Sequence, residues 1–341
     1  MNAIALPNRR VEDWKYSDLR SVTDADAVSV APTAVWLVAA TQGDLDINDL
    51  PKPVPFGAHG AMASLAASLA KAGPSVRVPK GETASIELDL TEGGHGRAVI
   101  VVEEDASLTL IEKPSAVAFS NVVVEITVGR NARLNHLRMM TDGDAVRVAD
   151  YAITIAASGT YRAHLADFGG KLSRTELHIA LEGEGAETHL SGVGVLNGVH
   201  ADVTTHVTHA AGNTRSTQLF KYVAGGHSRG VYQGKVSVAI GANGSDSRQS
   251  AKGLLLGNRA EIDLKPELEI LADDVKCAHG AAVGDLDAES LFYLRSRGIP
   301  EAEARALLMR AFIGDAVEQI EDETIRASVW QAVDAALETL S

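Results

Sequence analysis

Glu104-Asp-Ala106, followed at once by Ser107-Leu-Thr-Leu-Ile111, sets the pattern of the chain: a corner, a small residue, then strict apolar alternation. Alternation of period two puts one set of side chains on one face of a strand and the polar set on the other. The corner recurs as Gly129-Arg-Asn-Ala132, Glu182-Gly-Glu-Gly-Ala186 and Gly257-Asn-Arg-Ala260, and the alternation as Ser85-Ile-Glu-Leu-Asp-Leu90 and Glu261-Ile-Asp-Leu264. Glycine, asparagine or an acidic residue supplies the turn, and alanine lets neighbouring backbones approach there. No long helical pattern separates these strands, which argues against the alternating units of a doubly wound sheet. Short, evenly spaced strands fit a sandwich or a β-solenoid; the repeated phrase favours the solenoid, in which each coil turns the same corner.

Outward from this zone the period changes. Residues 1–75 are read as a helical N-terminal region, with a helix over Ala58–Lys71 from the spacing of Met62, Leu65, Ala66 and Leu69, ended by Gly73-Pro74. Pro51-Lys-Pro-Val-Pro55 is read as a linker, since each proline removes a donor and extends its predecessor. Residues 76–285 form the β-core. Residues 286–341 return to a helical period: Leu291, Leu294, Leu307, Leu308, Ala311 and Phe312 form one set, with Pro300 at a helix start and Glu301 and Glu303 in its first turn. Ile325, Val329, Val333, Leu337 and Leu340 follow behind Asp322. Two readings of this helical hairpin stand: a cap over the last coil, or a surface for a partner.

The chain has 341 residues and a formal net charge of -14, with 45% hydrophobic and only 4% aromatic residues. That is a globular composition, and its acidity and scarcity of rings disfavour nucleic acid. Met1-Asn-Ala-Ile-Ala-Leu-Pro-Asn-Arg-Arg10 lacks the apolar core of a secretory signal, and no later apolar run approaches the ~20 residues of a membrane span, so a cytoplasmic chain is expected. The lone cysteine, Cys277, allows no internal disulfide.

No GxxxxGK[ST] loop, GxGxxG, HExxH or CxxC occurs. Gly225-Gly-His-Ser-Arg-Gly230 precedes the alternating Val231-Tyr-Gln-Gly-Lys-Val236 and is read as a turn rather than a phosphate cradle. His178, His189 and His200 lie eleven apart, with His164, His206, His209 and His227 nearby. A coil of that length would stack them into a ladder able to bind a transition metal, although a solvated polar face is the plainer account. His206 and His209, three apart, fall on opposite faces of a strand. In Leu271-Ala-Asp-Asp-Val-Lys-Cys-Ala-His-Gly280 the thiol of Cys277 and the imidazole of His279 are two apart and share a side, a soft and a borderline ligand for iron, zinc or copper. Two ligands do not complete a site. The plainer reading is a buried free cysteine beside a hydrogen-bonded histidine.

Asp273-Asp-Val-Lys-Cys-Ala-His-Gly-Ala-Ala-Val-Gly284 with Leu291-Phe-Tyr-Leu-Arg-Ser-Arg-Gly-Ile299 resembles the SufB/SufD family of the SUF iron-sulfur cluster assembly system. Supporting phrases are Leu6-Pro-Asn-Arg-Arg-Val-Glu-Asp-Trp-Lys-Tyr16, Gln218-Leu-Phe-Lys221, Tyr232-Gln-Gly-Lys-Val236 and Lys265-Pro-Glu-Leu-Glu-Ile270. The resemblance implies a right-handed parallel β-helix flanked by helical N- and C-terminal regions. It implies a non-catalytic scaffold that pairs with a SufB homologue and binds the SufC ATPase through its C-terminal helices. The iron-sulfur cluster would be transient and shared with SufB, with His279 and Cys277 as the family's ligand positions. Where SufB members carry an essential cysteine, this chain reads Gln249-Ser-Ala-Lys-Gly-Leu254, so the SufD side of the family is preferred. A homodimer of the isolated chain is also open. The runner-up is a carbohydrate-active or lectin-like β-solenoid, disfavoured because only 6 Tyr, 6 Phe and 3 Trp are available as sugar platforms.

Overall fold

The computed structural model describes residues 6–50, 60–113, 117–141 and 144–340. Its strands fall into two nine-stranded sheets. One runs β1 (Val35–Gln42), β4 (Thr83–Glu92), β6 (Ser107–Glu112), β8 (Arg133–Met140), β10 (Thr160–Asp167), β12 (Glu187–Asn197), β14 (Arg215–Gly225), β16 (Asp246–Leu255) and β18 (Lys276–Gly284). The other runs β2 (Asp46–Asp49), β3 (Pro74–Val78), β5 (Gly94–Val102), β7 (Phe119–Val128), β9 (Val146–Ile155), β11 (Leu172–Leu181), β13 (His200–His209), β15 (Arg229–Val238) and β17 (Glu261–Ile270). From β3 to β18 successive strands alternate between the sheets, and these strands pair with one another only in parallel. The fold is a β-solenoid of about 8 coils.

The recurring corner is where the coils stack. Asp105, Asn131, Ser158 and Asn213 take positive φ near 56–60°, and Gly185 does so at the matching place. Asp and Asn tolerate this left-handed conformation better than most side chains. The next residue is Ala106, Ala132, Gly159, Thr214 or Ala186, and the three alanines are fully buried. The corners also bond to one another: the Asp105 amide donates to the Arg130 carbonyl (2.9 Å), Asn131 to Ala157 (3.1 Å) and Ser158 to Glu184 (3.0 Å). Alanine or glycine follows four of these five corners, and Thr214 the fifth.

Inward-pointing residues of both sheets form one core, with Ile86, Leu108, Leu134 and Tyr161 facing Ile100, Val124, Tyr151 and Leu177. Gly192 and Gly194 on β12 exist for this core. A Cβ there would come within 2.6 Å of the Phe220 ring and 2.5 Å of the Tyr222 ring. The outer faces are covered differently. Leu6, Trp14, Leu19 and Val28 from the N-terminal segment lie on Val146, Val148 and Leu172, and the Arg174 guanidinium sits 4.4 Å from the Trp14 ring centre. The N-terminal region carries two short helices, α1 (Ala25–Ser29) and α2 (Ala61–Leu69), but also β1 and β2, which pair antiparallel with the first coil. The linker reading of Pro51–Pro55 lies outside the described residues.

At the C-terminus are α3 (Ala288–Ser296), α4 (Glu301–Val317) and α5 (Glu323–Glu338). Pro300 stands at the α4 N-cap, and the Asp322 carboxylate caps α5 by accepting from the Ile325 amide at 2.9 Å. The helices do not cap the last coil. Met309, Ile313, Val317, Val329, Val333 and Leu337 pack sideways on the outer face of a sheet, against Leu137, Ala166, Val193, Val195, Val223 and Leu254. Valines and leucines at outward positions of β8, β12 and β14 decide this, because a sheet apolar on both faces needs cover on both. The histidine ladder spaced by eleven is not formed, since a coil is far longer. His178 aligns with His206 instead, 28 residues on, while His209 turns inward and is buried.

Candidate functional site at the terminal coil

β18 ends its sheet. It is held to β16 on one edge, with Cys277 opposite Ser247 and His279 opposite Gln249, and no strand among the described residues pairs with its other edge. β17 likewise ends the opposite sheet. The turn before β18 continues the corner stack: the Gly244 amide donates to the Asp274 carbonyl (2.7 Å) and the Lys276 amide to Ser245 (2.9 Å).

Ser247 and Gln249 point into the solenoid and are buried. Cys277 and His279 continue those two columns, so both face the inner side of the final coil while Lys276 and Ala278 face away. Cys277 is half-buried against the core. Burial raises its thiol pKa, partly offset by a hydrogen bond with the Ser247 backbone, so the protonated form dominates until a cation or base removes the proton. His279 is exposed. Beneath it, both amide atoms of Gln249 are buried without a hydrogen-bond partner. One coil deeper, Gln218 Oε1 accepts from Thr205 Oγ1 (2.6 Å) and the Tyr232 hydroxyl (3.0 Å). A polar column thus leads from His279 into the interior. Around the open end Ile270, Leu271 and Val283 are exposed, an apolar rim beside unpaired backbone groups.

Among the described residues no third histidine, cysteine or carboxylate joins Cys277 and His279 in a metal-sized group. The one such group lies on the other sheet, where Glu176, His178 and His206 converge. The sequence reading missed it because the histidines were counted at eleven rather than at the coil repeat. The glycine cluster at 225–230 is the turn between β14 and β15, as read.

The profile described as SUF system FeS cluster assembly, SufBD core domain, matches residues 86–312, from β4 into α4. The chain belongs to the SufBD family. It is 30% identical to the iron-sulfur cluster assembly protein SufD of Escherichia coli K12, over 95% of this chain and 88% of that protein. It is 34% identical to a SufBD family protein of Synechocystis over 70% of this chain, and 30% identical to chloroplastic protein ABCI7 of Arabidopsis thaliana over 74%. The chain spans only about half of those two relatives, 55% and 54% of their lengths. Within the SufBD match, the terminal coil and the start of the helical region are both included, so the pair Cys277 and His279 lies inside the family's core. No helix of the described residues is long and apolar enough to cross a membrane.

Proposed function

We propose that this chain is the non-catalytic, SufD-type scaffold half of an assembly core. It would pair with a SufB homologue through its open terminal coil and hold a transient iron-sulfur cluster between them. The observation that supports this most is the placement of half-buried Cys277 and exposed His279 on the inner side of a coil whose outer edge no strand among the described residues pairs with. A neutral imidazole and a thiol on one side of a strand offer two ligands, and a coil from a partner laid on the β17 and β18 edges would supply the others. The cluster is cargo here rather than a resident cofactor. His279, already exposed to a partner, would be the principal ligand, and Cys277, whose thiol burial keeps protonated, the auxiliary.

The C-terminal helices would receive the SufC ATPase, though not by the surface that their sequence advertises. Ile313 and Val317 on α4 are fully buried on the sheet. The apolar groups left for a partner are Phe292 and Tyr293 on α3, 75% and 57% exposed, with Leu307 on α4. Deleting everything after about residue 286 is therefore a poor test, since it would uncover Val193, Val195 and Val223. Phe292→Ala with Tyr293→Ala is the cleaner one. Co-expressed with SufB and SufC homologues, the wild-type chain should co-purify with both, and the double variant should lose SufC while keeping SufB. Purification of the wild-type chain without SufB would end the pairing proposal. Retention of SufC by the double variant would end the α3 assignment.

A further inference from the structure

On the outer face of the other sheet, three adjacent strands bring four ligand-type side chains together. His178 on β11 is in register with His206 on β13, and Glu176 on β11 with Asp150 on β9. The two imidazoles stack parallel, with centroids 4.7 Å apart and planes 3° from each other. His178 Nε2 lies 3.2 Å from Glu176 Oε1 and 3.5 Å from Asp150 Oδ2, and His206 Nε2 lies 4.0 Å from the same Glu176 oxygen. One donor atom from each of Glu176, His178 and His206 lies within 4.8 Å of the other two.

Metal-ligand bonds of about 2.0–2.2 Å in a tetrahedron place donor atoms roughly 3.3–3.6 Å apart, so the two carboxylate contacts of His178 already fit. His206 must close by about half an ångström and its ring must turn out of the parallel stack, while Asp150, which lies outside the mutually close trio, must move toward it. A second observation points to an ion. The Asp150 side chain is 5% exposed, with one oxygen at His178, and its Oδ1 is buried with no hydrogen bond. His206 Nε2 is likewise buried without a hydrogen bond. Buried acceptors without partners are costly, and one ion would satisfy both. Glu176 is also pre-aimed. Arg174 donates to its Oε2 at 3.1 Å while bonding Asp202 at 2.5 Å, which leaves Oε1 for the histidines.

We propose that Asp150, Glu176, His178 and His206 form a site for a divalent first-row transition ion of the zinc(II) or iron(II) class. Two imidazole nitrogens and two carboxylate oxygens suit such ions, and the two carboxylates balance the charge of a dication. Magnesium and calcium prefer shells made of oxygen alone. The site is independent of the terminal coil and of the function proposed for it.

The full chain carrying Cys277→Ala and His279→Ala, stripped with a chelator, isolates this site from the other pair. Zinc(II) titrated against a chromogenic chelator should bind at one equivalent and raise the melting temperature. Cobalt(II) should give visible d–d bands without a thiolate charge-transfer band. Adding His206→Ala, a part-exposed position, or Glu176→Gln should weaken zinc binding at least tenfold. His227→Ala, in an exposed turn, should leave it unchanged. If a variant melts more than a few degrees low, the other one decides. No zinc binding in the parent, or zinc binding undiminished in the folded variants, would overturn the site and leave His178 merely ion-paired between two carboxylates. Magnesium binding as tight as zinc would overturn the assigned ion class.

Discussion

The middle coils and the terminal coil are written in the same alternation, yet their inward residues meet opposite surroundings. On β8, His136 and Arg138 point into the solenoid and are sealed. Arg138 Nη1 donates to Glu112 Oε2 at 2.8 Å and to the Tyr151 hydroxyl at 3.0 Å, and that hydroxyl donates to the same Glu112 oxygen at 2.6 Å. The His136 ring pairs with the Tyr161 hydroxyl at 2.9 Å. On β18, Cys277 and His279 occupy equivalent inward columns and remain accessible. In a stacked architecture each coil is buried by its neighbours, so a residue's fate depends on whether another coil follows it. Polar groups inside become structural because they must find partners within the chain; the same kinds of group at the end stay available to another chain.

The contrast breaks most visibly if the interior pair is cut. Burial penalises the Glu112 carboxylate, but His136, Arg138 and Tyr151 hold its pKa at about 2. Arg138→Met leaves that charge enclosed without its cation and should cost about 3–5 kcal/mol in urea denaturation. Lys276→Ala on β18 should stay within about 0.5 kcal/mol. Equal losses at the two positions would mean that the coils are not differently buried.

Acid should act on the middle coils next. Burial holds His164 at about 3 and His200 and His209 at about 4. Each folded value lies below the usual histidine value near 6.5, so as pH falls between them the unfolded chain takes up protons that the folded chain refuses. The stability they contribute is complete above pH 6.5 and is lost toward pH 4. Burial raises Asp150 to about 6 and raises Asp167 too, which offsets part of this because the folded chain protonates them earlier. A net one to two protons leaves a loss of about 1.5–3 kcal/mol per pH unit. In the metal-free chain His178 runs the other way. Burial opposes its charge, but Asp150 and Glu176 hold it at about 9, so its contribution is full below pH 6.5 and lost as pH rises toward 9. Thermal unfolding followed by circular dichroism should peak near neutrality; a flat profile from pH 7 to 5 would contradict it.

A smaller effect belongs to the corners. Asn131 has φ of 56° and donates from its side-chain amide to Asp105 Oδ1 at 3.0 Å. Asn131→Ala should cost about 1–2 kcal/mol, and Asn131→Gly less, because glycine takes that conformation freely. An alanine variant as stable as the glycine variant would remove backbone conformation as the reason for the repeated phrase.

That phrase is also why the solenoid was legible in the sequence: a left-handed corner followed by a small residue is a local demand, stated again at each coil. Coil length was not legible, because the turns vary, with 24 residues separating Thr83 from its partner Ser107 and 32 separating Arg229 from Glu261. His178 and His206 could be paired only once that length was known. The C-terminal helices were legible from Pro300, Asp322 and their apolar period. Where they dock was not, because it depends on outward valines such as Val193 and Val223, which read equally well as core. For Cys277 and His279, the step of two in sequence gave their shared side. Their exposure depends on what does not follow β18, and no local pattern encodes that.

The smallest effect on folding should come from the residue with the largest expected effect on function. His279 is exposed on β18, so His279→Ala removes little packing and should change stability by less than about 0.5 kcal/mol. Cys277→Ala, half-buried against the core, should cost about 1 kcal/mol at most, since the thiol behaves there as a small apolar group. In cells carrying the assembled complex, iron and sulfide content and the activity of a reporter iron-sulfur enzyme should collapse with His279→Ala and fall only partly with Cys277→Ala. The isolated chain should purify colourless, since one imidazole and one protonated thiol hold iron weakly, and colour should appear only with a partner bound. Full reporter activity with His279→Ala would remove the ligand assignment while leaving the open coil intact as a docking edge. Loss of activity with loss of pairing would show instead that His279 acts by holding the partner's coil, and the two outcomes separate on a single co-purification gel.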